Sequence, residues 1–248
     1  MHEFITGLQF LTRIKVTNQS EWLPDSFGRS VKFFPLIGAV IGMLLVAINY
    51  IIDCYLPELG IYCPPHVLAT ILTAAPILIT GGLHCDGFMD TMDGIFSGRS
   101  RERKLEIMKD SRVGANGVTA FTLLILLKWS LLTDIAPSVL PLALFSMPVL
   151  GRFAMVIGIT VFPYARPDGM GKAFAQHAGR TTLVIAALLT LILIIPLGKL
   201  ALLGGVAVIV FALLFAKYAT KMLGGLTGDV YGAMTELAEI LVLVTFLL

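Results

Sequence analysis

Seven runs of mostly apolar residues divide this chain, at about 34–52, 66–83, 116–133, 139–162, 181–197, 200–217 and 230–248, with short polar stretches between them. Each run is near the ~20 residues that a helix needs to cross ~30 Å of hydrocarbon. The pattern predicts an all-α fold: a polytopic integral membrane helix bundle of about seven transmembrane helices, forming one membrane-embedded domain over 1–248. Pro35 opens the first run, where a proline gives up no helix hydrogen bond. Before it, Phe4, Ile5, Leu8 and Leu11 recur at helical spacing among polar residues, as in a segment lying at the membrane surface. The polar stretches are unequal. The loop 53–65 holds Asp53, Glu58 and prolines but no Lys or Arg, whereas 84–115 and 163–180 are rich in both signs of charge.

Composition supports the same class. The chain is 57% hydrophobic and only 14% charged, with mean hydropathy +0.89, which excludes an ordinary soluble domain. A net charge of +2 says little about partners; membrane lipid is the expected surrounding, and no nucleic-acid partner is expected. No basic segment followed by an apolar core and cleavage site opens the chain, so no signal peptide is expected. Cys54, Cys63 and Cys85 form no metal or disulfide framework. With the N-terminus inside, all 18 Lys and Arg fall on that side except Lys128, Arg152 and Lys199. By the positive-inside rule the stretches 84–115 and 163–180 face the cytoplasm.

The densest candidate chemistry lies at 81–94, GGLHCDGFMDTMDG. Asp86, Asp90 and Asp93 stand at i, i+4 and i+7, so on a helix their carboxylates share one face. Like charges so placed repel, and a divalent cation bridging carboxylates and substrate phosphate would neutralise them. A solvated acidic face paired with downstream arginines is the plainer alternative. His84 is a candidate metal ligand or a hydrogen-bonding group at the substrate. Within 99–114, Lys104, Lys109 and Arg112 are candidate phosphate contacts beside Asp110, unless the segment is only an amphipathic surface helix. Arg152, inside a run, should face the bundle interior and pair with Glu236, Glu239 or a substrate phosphate. Tyr164, Arg166, Asp168 and Lys172, with glycines between them, suit a flap over an anionic ligand or an ordinary connector.

The chain also echoes itself. Gly81-Gly82-Leu83 and Asp86 correspond to Gly224-Gly225-Leu226 and Asp229, and seven residues on, Asp93 corresponds to Glu236. Asp229, with Thr227 beside it and Glu236 beyond, is therefore expected to join the first cluster in holding metal or substrate.

These residues resemble the cobalamin synthase family. The likeness rests on GGLHCDGFMDTMDGIFSGRSRERKLEIMKDSRVGANG at 81–117 and GGLTGDVYGAMTELAE at 224–239, and extends to FLTRIKV at 10–16 and FFPLIGAVIG at 33–42. Lys15 stands where this family commonly has proline. The resemblance implies a multi-pass transferase of the bacterial cytoplasmic (inner) membrane. It would join adenosylcobinamide-GDP with α-ribazole or its 5′-phosphate late in coenzyme B12 assembly, releasing GMP and using Mg²⁺. Asp86, Asp90 and Asp93 would be catalytic and, with Asp229, hold the metal. A homo-oligomer and association with other late enzymes of the pathway would be compatible with it. Three other classes fit less well. A CDP-alcohol phosphotransferase or a prenyltransferase would show motifs missing here, since Gly87 is not followed by Ala-Arg and no two aspartates are adjacent. A transporter would place its acids at mid-membrane.

Overall fold

The apolar runs fold as helices, and no strand forms among the residues described, 2–18 and 24–248, in this computed structural model. In chain order these are α1 (His2–Leu11), α2 (Pro24–Ser30), α3 (Phe34–Tyr50), α4 (Leu56–Glu58), α5 (Pro65–Thr80), α6 (Leu83–Phe96) and α7 (Arg101–Ile107). There follow α8 (Ala115–Asp134), α9 (Leu140–Val161), α10 (Met170–His177), α11 (Arg180–Ile194), α12 (Lys199–Leu223) and α13 (Gly228–Thr245). Residues 19–23 of the expected surface segment lie outside the described residues.

By length and composition five helical runs can cross a membrane: Pro24–Glu58, Ala115–Asp134, Leu140–Val161, Arg180–Leu197 and Lys199–Leu223. The pair α5 and α6 makes a sixth only if it counts as one span broken by a 93° bend. About seven were expected. The difference arises at 230–248, where α13 carries Asp229, Glu236 and Glu239 and is buried by protein along most of its length. Its apolar residues face neighbouring helices, and hydropathy alone cannot separate such a helix from one facing lipid. The first span differs too, because α2 runs on through α3 to α4 without a break.

Lipid-facing and protein-facing surfaces separate cleanly. Leu188 and Ile192 on α11, Val206, Val210 and Leu214 on α12, and Leu123 and Leu127 on α8 all point outward at helical spacing. Inside them α9 is almost wholly buried, packed against α3, α11, α12 and α13. The approach of α3 to α9 depends on Gly38 and Gly42, a Gly-x-x-x-Gly pair of the kind that lets membrane helices touch through their backbones. A Cβ on Gly38 would fall 2.3 Å from the carbonyl oxygen of Pro148.

Glycine turns set the direction of the two acidic helices. At the end of α5, Gly81 and Gly82 both take positive φ (66° and 74°). Their N–H groups donate to Leu78 O (3.3 Å) and Ile77 O (2.8 Å), closing the helix and turning the chain into α6. At the end of α12, Gly224 (φ 77°) does the same, and α13 comes next. With three aspartates along it and a 93° bend before it, α6 is the charged half of its pair. Its echo with α13 is thus carried into three dimensions.

Replacing Gly38 by Val should force α3 and α9 apart. A loss of about 1–3 kcal/mol, or roughly 3–10 °C in Tm, is expected. Thermal unfolding in detergent measures it, with Gly179→Ala as control, since a Cβ there meets nothing within 4 Å.

Candidate active site at the crossing of α6 and α13

The two helices that emerge from the glycine turns cross each other backbone to backbone. A Cβ on Gly87 would lie 2.8 Å from the carbonyl oxygen of Asp229, and one on Gly232 would lie 3.0 Å from that of His84. This closeness brings Asp86 and Asp90 of α6 to the first turn of α13, where Asp229 sits. Thr227 caps that turn: its Oγ1 accepts from Val230 N (3.3 Å) and donates to Asp229 Oδ2 (3.2 Å). The segment after α9 is pinned alongside, with Ala165 N donating to Leu226 O and Leu226 N to Pro163 O, both at 2.8 Å. That pinning sets Arg166 against Asp229, Nη2 to Oδ2 at 2.7 Å.

One guanidinium does not neutralise three carboxylates. Burial, Asp229 and Asp86 together push the carboxyl of Asp90 up to about 7, against the pull of Arg166. Asp229 is also raised, because its burial outweighs Arg166 and the Thr227 hydroxyl. No three His, Cys, Asp or Glu close into a finished metal cage among the described residues. Mg²⁺ needs none, since it commonly takes one or two carboxylates and completes its shell with water and substrate phosphate. The mutual repulsion of Asp86, Asp90 and Asp229 is what such a cation would relieve, so the donor set fits it.

Two cavities meet at Asp86. The larger, about 660 Å³, opens between the end of α5 and the N-terminal segment and is walled in part by Arg13, Lys15, Gly82, Asp86 and Phe121. Arg13 is held there by its own N–H, which donates to Ile79 O (2.7 Å), and its guanidinium covers Gly81. The smaller, about 200 Å³, lies on the α13 side and includes Asp86, Asp229, Phe174 and Tyr231 in its wall.

Beneath the acids lies a buried, charge-balanced network. Lys128 of α8 donates to Glu236 and Glu239 of α13, both at 2.8 Å. Arg152 of α9 pairs with Glu239 through Nη1 and faces His84 Nδ1 through Nη2 (3.3 Å). The Cys85 thiol donates to Glu236 (3.5 Å).

Comparison with known proteins gives the family. The family model for cobalamin-5-phosphate synthase matches residues 3–247. The chain belongs to that family. Among its relatives, the adenosylcobinamide-GDP ribazoletransferase of Desulfitobacterium hafniense is 39% identical, covering 98% of this chain and 95% of its own. That of Desulforamulus reducens is 42% identical, over 89% and 86%, and that of Acetivibrio thermocellus 38%, over 96% and 94%. No solved structure matches.

In this cobalamin-5-phosphate synthase family member the residues anticipated from sequence divide into four groups. Asp86, Asp90 and Asp229 come together, with Thr227 holding Asp229. Asp93 turns away: its carboxylate accepts from Gly114 N (2.7 Å) and Gly117 N (2.8 Å), tying α6 to the start of α8. His84, Arg152 and Glu236 are buried, and Arg152 and Glu236 belong to the network and line neither cavity. Lys104, Lys109, Asp110 and Arg112 line neither cavity either. Lys104 is buried against the end of α6, and Arg112, with its side chain 87% exposed, pairs with Asp110 and holds that carboxyl down to about 2. The cations near the acids are instead Arg13, Lys15 and Arg166. In the sequence Arg166 is visible only as part of a flap, and Arg13 and Lys15 only within FLTRIKV. Lys128 has no signal there beyond lying inside an apolar run.

Lys128→Met should leave a buried carboxylate without a partner, costing about 3–5 kcal/mol. The double variant Lys128→Met/Glu236→Gln restores neutrality and should recover much of the lost Tm in detergent.

Proposed function

We propose that this chain is an adenosylcobinamide-GDP ribazoletransferase of the bacterial cytoplasmic membrane, with its site open to the cytoplasm. The observation that carries this reading is the meeting of two cavities at Asp86, one with cationic walls and one with aromatic walls. A reaction between an anionic nucleotide conjugate and an aromatic riboside needs that arrangement. Family membership and the relatives' names support the substrates, and the outward apolar helices support the membrane.

In this reading the larger cavity takes the pyrophosphate of adenosylcobinamide-GDP between Arg13 and Lys15 and the acids. Asp86 and Asp229 would hold Mg²⁺, which when bound supplies positive charge to the pyrophosphate oxygens. The 3′-hydroxyl oxygen of α-ribazole, or of its 5′-phosphate, forms a bond to the phosphorus that carries cobinamide. The bond from that phosphorus to the oxygen of GMP breaks, and GMP leaves with the electron pair. Asp90 receives the hydroxyl proton, its carboxyl being raised towards neutral pH where a general base works best. Arg166 orients Asp229 through their ion pair. The chain's main contribution is alignment and charge, which phosphoryl transfer demands more than covalent catalysis. Asp93 acts through the position of α6.

Purified protein in lipid vesicles, given adenosylcobinamide-GDP, α-ribazole and Mg²⁺, should release GMP and form cobalamin in equal amounts, and chelation should stop both. Asp86→Asn and Asp229→Asn should lower turnover by about 10²-fold or more without loss of Tm. Asp93→Ala should lower Tm. No product from folded wild type would refute the assignment.

The pH dependence is set by Asp90. A carboxyl raised to about 7 is protonated below that value and cannot accept a proton. kcat/KM should therefore fall as pH drops through a limb at or below about 7, a bound cation moving it downward. Asp90→Glu should shift this limb, and Asp90→Asn should abolish activity at every pH.

A further inference from the structure

The smaller cavity has a chemistry of its own. Phe10 and Phe174, whose rings meet edge to face at 5.3 Å, join Met155 and Tyr231 in its wall and give it an aromatic and polarizable side. Two residues of the same wall each keep a buried polar atom without a protein partner: His84 at Nε2 and Tyr231 at its hydroxyl. Both side chains are about as buried as the core, at 1% exposure. The other nitrogen of His84 fixes its tautomer. Nδ1 faces Arg152 Nη2, and a guanidinium can only donate, so Nδ1 accepts and the proton resides on Nε2. The cavity wall therefore contains a buried N–H and a hydroxyl that no protein atom meets, near the carboxylates of Asp86 and Asp229, and an unmet buried donor costs stability until a partner meets it.

We propose that this cavity is the base pocket for α-ribazole, with Phe10, Phe174 and Tyr231 holding its dimethylbenzimidazole ring and one of the two unmet donors, His84 Nε2–H or the Tyr231 hydroxyl, reaching its free ring nitrogen. The inference rests on the reaction proposed above. Three features fit this base. Its volume of about 200 Å³ admits a bicyclic base and excludes a corrin ring. Dimethylbenzimidazole presents an apolar edge suited to Phe10, Phe174 and Met155, with a single in-plane acceptor. Asp86 belongs to the walls of both cavities, so a base seated here turns its ribose towards the carboxylates and the nucleotide conjugate beyond them.

Gly228 provides a clean test. It lines the cavity, and a Cβ placed on it meets nothing within 4 Å, so Gly228→Leu adds bulk to open space without strain in the fold. Equilibrium dialysis of α-ribazole against full-length protein in vesicles measures binding without turnover. Wild type should bind it, and Gly228→Leu should bind about tenfold more weakly or worse at unchanged Tm. Tyr231→Phe should weaken it less. In steady state, Gly228→Leu should raise KM for α-ribazole and leave KM for adenosylcobinamide-GDP within about twofold. Equal binding to wild type and Gly228→Leu, no binding to wild type, or a rise confined to KM for adenosylcobinamide-GDP would each overturn the pocket. If wild type binds α-ribazole in this Gly228-dependent way but makes no GMP, the pocket stands and the reaction falls.

Discussion

There is no room for a side chain at Gly87. An atom placed there would sit 2.8 Å from the main chain of Asp229, so α6 and α13 touch through their backbones and their carboxylates are forced into one place. Most of what is distinctive in the molecule depends on this contact. A larger residue would push the helices apart and draw Asp229 away from Asp86. The crossing in turn depends on the glycine turns before each helix, which reverse the chain at the ends of α5 and α12.

A cluster of like charges opposes folding, so something must hold the helices in register against it. The buried network does this from below. Glu236 and Glu239 lie on one face of α13 and are fixed by Lys128 and Arg152 from two other helices. Two helical turns before Glu236 on that face comes Asp229, whose direction is thereby set. Buried ion pairs add little net stability, but removing one partner is costly, and they specify a rotation that apolar packing alone would leave loose. On the other flank Asp93 ties α6 to α8 through two backbone N–H groups. One carboxylate of the motif thus holds the helix, while Asp86 lines both cavities and Asp90 sits beside Asp229.

Much of this architecture is legible from sequence. Apolar runs of sufficient length give the helices, and i, i+4, i+7 spacing gives the acidic face. The internal echo brings Asp229 to Asp86 across more than a hundred residues. Other features are out of reach for physical reasons. Helical spacing places Asp93 with its neighbours, yet a hydrogen-bonding partner on another helix redirects it. Hydropathy cannot tell α13, surrounded by protein, from a helix surrounded by lipid. Proximity in sequence favours Lys104, Lys109 and Arg112 as partners of the acids, but the turn after α6 carries them away. Arg13 arrives from some seventy residues upstream because its backbone hydrogen-bonds to the end of α5, a contact that no local pattern announces.

The most direct test replaces Mg²⁺ by Mn²⁺ and records its electron–nuclear double resonance spectrum with adenosylcobinamide-GDP bound. The account predicts ³¹P coupling from the pyrophosphate in wild type, lost in Asp86→Asn and in Asp229→Asn but kept in Arg112→Ala. Coupling that survives both aspartate substitutions would place the metal elsewhere and contradict the assignment of the α6–α13 crossing as the catalytic centre.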